Sequence, residues 1–508
     1  MLGVVGVGLL VRLPFVATAD FPLNDGGLFV AMARDILSAG YALPATTSYN
    51  GGGIPFAYPP LALYLAAALS ELLSADLATL LLVLPAAASL LVLAAFLALS
   101  RRLLDDPHRS LLAALVFALL PRSYSWLMMG GGLTRSVGLL FALLALRQVP
   151  PLLAEGRPAA ILAMGAALSL AMLSHLEAAL FAICGSLAFW AASGRRRRGL
   201  LGIGAAFAAA LLIAAPWWAT VLTRHGTAPF LAAARTGGWS AVELALVPPR
   251  AFEEMSPLVF LAGMLGVAGC AFERRWLLPL WLLATMAANP RSVPTYVTVP
   301  WAMLASAGVL GVAVPGLARI GSAPALRRWI ERCAVAGVLG SLALADWRLH
   351  ASGDHALVAL TAAEREAMRA LAATPPESRV LVISTAAEWP SDPVAEWFPV
   401  LAERRSVLTL QGTEWLPDRE FSHRRRGYET LKAQGVRSLG DLRAWSEGRW
   451  AEPGRRRARE VEFSHLYLAR GGPGAVDLGR LRAEILRSPD YRVLADSPQA
   501  TVFARIRP

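Results

Sequence analysis

Three groups of polar side chains stand out in a chain of 508 residues that is 56% hydrophobic. Asp25, in FPLNDGGLF, opens a segment whose apolar residues Leu28, Phe29, Met32, Ile36 and Leu37 recur at helical spacing. A carboxylate there suits two compatible roles. It can cap the helix by accepting hydrogen bonds from orphan amides, and a cap held still in this way can also serve as a general base. Asp20 is a weaker candidate for the same work. The second group is Ser174-His175-Leu176-Glu177, a polar turn between two apolar runs. Ionisable groups at membrane depth are costly, so they face a cavity, pair with one another or act. His175 and Glu177 could cap the helix ends as a pair, or join Asp25 around a metal ion, although no ligand spacing marks a metal site.

Arginine forms the third group. Arg122 and Arg135 flank PRSYSWLMMGGGLTR, Arg224, Arg235 and Arg250 follow the seventh long apolar run, and Arg291 lies between prolines in NPRSVPTYVTVP. Guanidinium binds phosphate oxygens bidentately and stays charged at any physiological pH. Lipid headgroups would satisfy most of these arginines; the helix-interrupting prolines favour a ligand for Arg291. Gly130-Gly131-Gly132 permits close backbone approach, a re-entrant turn or a hinge.

The elements that must carry these groups are membrane helices. Only 17% of residues are charged, against about 25% in ordinary soluble domains. The net charge is +12, nearly all of it arginine, with Lys432 the one lysine. Basic residues placed between apolar runs set membrane topology rather than bind nucleic acid. Cys184, Cys270 and Cys333 fall inside apolar segments and form no disulfide framework. Apolar stretches of spanning character lie at 2–19, 77–99, 110–128, 134–149, 158–174, 176–193, 200–222, 255–272, 276–290, 296–314 and 330–347, which predicts about eleven spans. The first has no basic flank or small-residue cleavage site and reads as a retained helix. Arg101, Arg102 and Arg109, then Arg147 and Arg157, Arg195 to Arg198, Arg274 and Arg275, and Arg319, Arg327, Arg328 and Arg332 follow alternate spans. The positive-inside rule makes those loops and the N-terminus cytoplasmic and the C-terminal part extracytoplasmic, the periplasm in a bacterium with an inner membrane. Residues 58–74 could span or lie flat at the interface, and charge alone does not separate the two.

From about residue 350 charges become frequent and apolar runs shorten. The predicted architecture is therefore an all-α polytopic membrane domain over 1–349 and a small α/β soluble domain over 350–508. Strands are expected at 379–385, 406–412 and 465–470, a hairpin at 491–506 turning at Asp496-Ser497-Pro498, and helices near 361–373, 392–402, 427–434 and 479–487. No catalytic or metal motif marks this domain, and it is assigned no chemistry.

One span, an acidic residue opening an amphipathic helix, Tyr58-Pro59-Pro60-Leu61, and a span ending in Arg101-Arg102 together resemble the GT-C superfamily of polytopic membrane glycosyltransferases, including protein O-mannosyltransferases and aminoarabinose transferases. Arg291, followed by Tyr296 and Pro300, resembles the element that opens a late helix in many members. The resemblance covers roughly residues 1–315. It implies that the Pro-Pro helix lies flat on the outer face. It implies inverting transfer of a hexosyl or pentosyl group from a polyprenyl-phosphate sugar donor to a glycan, lipid or protein acceptor at the outer face of the cytoplasmic membrane. Asp25 would be the base, Arg291 and Arg135 would hold the donor phosphate, and His175 and Glu177 would orient the acceptor or a divalent cation such as Mg or Mn. The chain departs from many members in two places: Asn24 and Gly26 flank Asp25 where a second acid is common, and PRSYSWLMMGGGLTR carries no acid. The rival class is non-enzymatic, a flippase or transporter, or a scaffold, for polyprenyl-linked envelope glycans. A transporter should show paired broken helices or an internal repeat, and neither is evident in the sequence.

Overall fold

The computed structural model describes residues 2–194, 196–288, 290–319, 324–352, 357–386, 388–416, 420–433, 436–449, 461–470 and 478–506. Arg195 and the side chain of Arg327, two members of the arginine clusters, lie outside the described residues. Helices form at each of the eleven expected places, and the one at Pro158–Ser174 matches its expected ends. Among the described residues, Leu77–Leu103, Gly132–Glu155, Arg197–His225 and Val293–Leu317 are long and apolar enough to cross a membrane. Pro107–Leu119 with Pro121–Met128 makes a fifth if that pair, bent by 51°, is one span. Six further apolar helices run from 12 to 17 residues. One of these is Leu61–Leu73, the helix expected to lie flat. Its 13 residues rise about 20 Å, short of the apolar thickness of roughly 30 Å.

Local chemistry sets the helix ends. Asp76 accepts from the amides of Ala78 (2.9 Å) and Thr79 (3.3 Å), and Asp106 from that of His108 (2.8 Å), so each carboxylate satisfies orphan donors at an N-terminus. Pro121 starts a new helix where its ring cannot continue the old one. Arg12, buried in the first helix, bonds Ser89 Oγ (2.8 Å) and the carbonyls of Gly8 (3.1 Å) and Ala118 (3.2 Å), which offsets the cost of a buried cation.

Pro257–Phe272 crosses the helix that follows Thr298 at backbone contact. A Cβ on Gly308 would land on the Ala262 carbonyl, and one on Gly266 on the Leu304 carbonyl. Small residues allow such approaches between helices in lipid. Gly308→Ala should therefore destabilise the fold by about 1–3 kcal/mol, read as a lower melting temperature in detergent.

The C-terminal part forms a five-stranded sheet of order β4-β3-β5-β7-β6, with β3 Arg379–Ile383, β4 Arg405–Ser406, β5 His465–Ala469, β6 Tyr491–Asp496 and β7 Ala500–Arg505; β1 (Thr46–Thr47) and β2 (Ile54–Pro55) pair separately in the first loop. β3, β4 and β5 are parallel, and β5, β7 and β6 antiparallel. The apolar runs VLVI and HLYLA are buried, as expected of strands covered on both faces. The strand expected at 406–412 is a correction: only Arg405–Ser406 pairs. Thr409 then turns the chain away, its amide donating to Ser406 Oγ (3.3 Å) and its hydroxyl to the Ala395 carbonyl (2.7 Å). On the free edge the side-chain amide of Asn50 takes the place of a neighbouring strand. It donates to the Ser406 carbonyl (3.1 Å) and accepts from the Ser406 amide (2.7 Å), covering an edge that would otherwise be left open.

The first loop is held to the C-terminal part at further points. Leu23 pairs with Ala359 as an antiparallel bridge. Arg365 grips Asp20 through both carboxylate oxygens (2.9 and 2.5 Å). Beside that guanidinium, the Asp20 carboxyl is held below its usual range.

Candidate functional site

Asp25 is 5% exposed and lies where the first loop meets the start of the helix Gly132–Glu155. Its Oδ1 accepts from the Gly131 amide at 2.8 Å, and its Oδ2 pairs with the Arg135 guanidinium at 2.7 Å. The expected cap on its own helix is not formed: Gly26 occupies the N-cap of Gly27–Ser38 without a side-chain cap bond. The reason is backbone geometry. Asn24 (φ 52°) and Gly26 (φ 133°) bend the chain just there, which turns the Asp25 carboxylate to the N-terminus of a different helix, where a negative charge is also favoured. Of the roles open to Gly130-Gly131-Gly132, the structure shows close approach. The Gly130 amide donates to the Leu23 carbonyl (2.9 Å), and a Cβ on Gly130 would overlap the Asp25 carbonyl.

Arg135 also donates to the Trp126 carbonyl (3.0 Å) and lies over the Trp126 ring, 5.1 Å from its centroid. The neighbouring Tyr58 hydroxyl is 3.0 Å from Thr134 Oγ1, and the charges of Arg135, Glu177 and Asp25 all act on it. Tyr58 thus lies within electrostatic reach of the Asp25 carboxylate.

His175 and Glu177 do not hydrogen-bond to each other. His175 Nδ1 lies 3.3 Å from the Tyr296 hydroxyl, and Glu177 accepts from Ser292 Oγ. Both feel the charges of Arg135 and Arg291. The Arg291 side chain reaches Thr236 Oγ1 (3.3 Å) and lies 5.7 Å from the centroid of the Trp389 ring in the C-terminal part. The structure thus joins Asp25 directly to Arg135, and its electrostatic link to Arg291 runs through His175 and Glu177. Arg224 and Arg122 are spent elsewhere, on the Leu43 carbonyl (2.7 Å) and Glu254 (2.9 Å).

A divalent cation does not fit this arrangement. Among the described residues no three His, Cys, Asp or Glu side chains gather as a metal site. Asp25, His175 and Glu177 direct their donor atoms to Gly131 and Arg135, to Tyr296 and to Ser292.

Two residues with no sequence signal complete the surroundings of Asp25. Both come from the helix Pro393–Leu401 of the C-terminal part. Glu396 Oε1 accepts from the Gly26 amide at 2.9 Å, and Trp397 Nε1 donates to the Asn24 carbonyl at 2.8 Å. Tyr49 donates to the Glu396 carbonyl at 2.6 Å. Their apolar neighbours Val394 and Phe398 made 392–402 legible as a helix, but no local pattern indicates what such a helix packs against.

No family model matches this sequence, and no curated protein matches it. Solved structures do. The oligosaccharyltransferase AglB from Archaeoglobus fulgidus, in complex with an inhibitory peptide and a dolichol-phosphate, superposes with a TM-score of 0.59 at 14% identity, over 92% of this chain and 69% of that one. The arabinofuranosyltransferase AftD from Mycobacteria gives 0.59 at 18% identity, over 99% of this chain and 39% of that one. ArnT from Cupriavidus metallidurans, bound to undecaprenyl phosphate, gives 0.52 at 15% identity, over 99% and 97%. These neighbours are GT-C glycosyltransferases, and the fold of this chain is the one they share.

Proposed function

We propose that this chain is a multi-pass membrane glycosyltransferase. It moves a sugar, with inversion, from a polyprenyl-phosphate-linked donor to an acceptor hydroxyl at the outer face of the cytoplasmic membrane. The proposal includes about eleven spans, a cytoplasmic N-terminus and an extracytoplasmic soluble domain over 350–508. The observation that carries it is the Asp25 carboxylate, buried and oriented by the Gly131 amide and Arg135 within the shared fold. The polyprenyl phosphates held by two of the neighbours support the choice of donor.

Two hydrogen bonds leave an ionised carboxylate with unused lone pairs. The acceptor hydroxyl gives its proton to Asp25 as its oxygen bonds to the anomeric carbon, and the bond from that carbon to the phosphate oxygen breaks. Polyprenyl phosphate leaves with the electron pair. Once protonated, Asp25 no longer neutralises Arg135, whose charge is then free to stabilise the departing phosphate; Arg291 holds the same group. His175 and Glu177 orient the acceptor. No step uses a metal.

The soluble domain supplies selectivity for the acceptor. A cleft of about 250 Å³ opens between the first loop (Asn50, Gly52, Gly53) and Arg405, Arg424 and Glu420. Glu420 pairs with Arg424 (2.8 Å), and burial together with Arg424 and Arg379 holds the Arg405 guanidinium below its usual range. Two cations facing one carboxylate suit an anionic group on the acceptor. Arg405→Ala should raise the KM for such an acceptor about tenfold, the loss of a charge-assisted hydrogen bond of roughly 1.5 kcal/mol, and leave kcat unchanged.

The test is incubation of membranes containing the protein with labelled polyprenyl-phosphate sugars. Transfer of label that depends on the protein supports the reading. Flipping of intact labelled lipid without cleavage of the sugar–phosphate bond would replace it with a transporter.

A further inference from the structure

Glu396 is a buried acid that the mechanism leaves unused. It is 4% exposed and reaches across from the soluble part to the residue that follows Asp25. The stretch it touches leaves the usual backbone regions: Asn24 has a φ of 52° and Gly26 one of 133°, which a residue with a Cβ would avoid. Its neighbours hold it there from two sides. On one side Gly130 and Gly131 donate to Leu23 and Asp25. On the other, Trp397 donates to Asn24 and Glu396 accepts from Gly26. Close packing reinforces this second side, since a Cβ on Gly27 would lie 2.6 Å from the Glu396 carbonyl.

We propose that Glu396 is a positioning residue for Asp25, acting through the Gly26 amide, so that the soluble domain completes the site held by the membrane helices. This rests on the proposed role of Asp25 as base. The groups facing Glu396 are Asp25 from the first loop, Arg135 from Gly132–Glu155 and Tyr49 from the turn Tyr49–Gly51, on which Glu414 and Arg424 also act. On its own helix, Asp392 is turned to Ser384 and Tyr428. One arginine thus serves two acids. Burial, and next the charge of Asp25, push the Glu396 carboxyl up to about 8. At neutral pH Glu396 therefore holds its proton beside the Asp25–Arg135 pair. The folded state binds this proton and the unfolded chain does not, so stability falls as pH rises from the ordinary carboxyl range through about 8. Above that, two negative charges compete for Arg135 and the loop is pushed off its position.

Two measurements on the full-length protein in detergent test this. The first is amide hydrogen exchange of the peptide covering residues 20–33, with no substrate present. Glu396→Ala should exchange at least about tenfold faster than wild type at Gly26, the loss of about 1.4 kcal/mol of protection. Glu396→Gln, which keeps a neutral acceptor, should match wild type at neutral pH and stay protected above pH 8, where wild type loosens. The second is the pH profile of transfer. Glu396→Ala should lose about 10²-fold in kcat with little change in KM, and Glu396→Gln should keep wild-type rates and lack the alkaline fall. Unchanged exchange in Glu396→Ala, or coincident wild-type and Glu396→Gln profiles from about pH 6 to about pH 9, overturns the proposal. If Asp25→Asn still transfers sugar, the assignment of the base fails, while the exchange experiment still decides whether Glu396 positions the loop.

Discussion

Asp25→Asn should lower sugar transfer by about 10²–10⁴-fold, the usual contribution of a general base. The amide oxygen of Asn can still accept from Gly131, but its NH2 group then faces the Arg135 guanidinium, donor against donor. The variant therefore also leaves a partly buried arginine without its counterion, a loss of about 3–5 kcal/mol for a pair of this kind. The Arg135 side chain keeps 22% of its surface exposed, so the loss should fall at the lower end. Stability and chemistry can be separated by the double variant Asp25→Asn/Arg135→Gln. Removing both charges should recover most of the melting temperature and none of the transfer. Labelled-donor turnover in membranes, alongside thermal melts of purified protein, reads both. Wild-type turnover in Asp25→Asn would eliminate Asp25 as the base.

Gly130→Ala tests the same geometry from the opposite side without touching a charge. A methyl group there would occupy the position of the Asp25 carbonyl, a backbone atom with no rotamer by which to escape. The Gly130 amide is also tied to the Leu23 carbonyl at 2.9 Å, so the loop cannot yield without breaking that bond. A displacement near 1 Å at a reacting group costs about 10²-fold in rate, and overpacking of this kind costs about 1–3 kcal/mol. The expected outcome is a kcat lowered about 10²-fold and a modestly lower melting temperature. Gly204→Ala is the control, since nothing lies within 4 Å of its Cβ position; a helix former there should leave turnover intact. If Gly130→Ala turns over like wild type, close approach of the glycine segment is not what aims Asp25.

Much of the architecture was legible from local pattern. Local pattern placed the helices, some with ends displaced by five to seven residues, as at Gly132–Glu155, Pro324–Ser352 and Glu420–Ala433, and the buried runs at 379–383 and 465–469 and the hairpin at 491–505 formed where short apolar runs and turn residues put them. These succeed because burial of an apolar face is recorded every two or three to four residues along the chain itself. The strand expected at 406–412 failed because a residue of the first loop, Asn50, occupies its edge and Thr409 bends it away, a competition between segments more than 350 residues apart. Asp25 was expected to cap its own helix, and its carboxylate instead meets the start of Gly132–Glu155. Its partners are Gly131 and Arg135, and the backbone signs at Asn24 and Gly26 that turn it towards them cannot be read from residue types.

The chain's composition and periodicity were sufficient to specify a mostly helical chain with several apolar helices, a small sheet region towards the C-terminus, and the acid, imidazole and guanidinium groups available for chemistry. What they left open is which of those groups meet. The pairing of Asp25 with Arg135, the detour of Arg291 to Trp389 and Thr236, and the arrival of Glu396 and Trp397 from the C-terminal part all depend on the docking of distant surfaces. Periodicity tells each element which face to bury; it does not tell that face its partner, because the free energy of a long-range contact resides in the fit between two segments and in neither one alone.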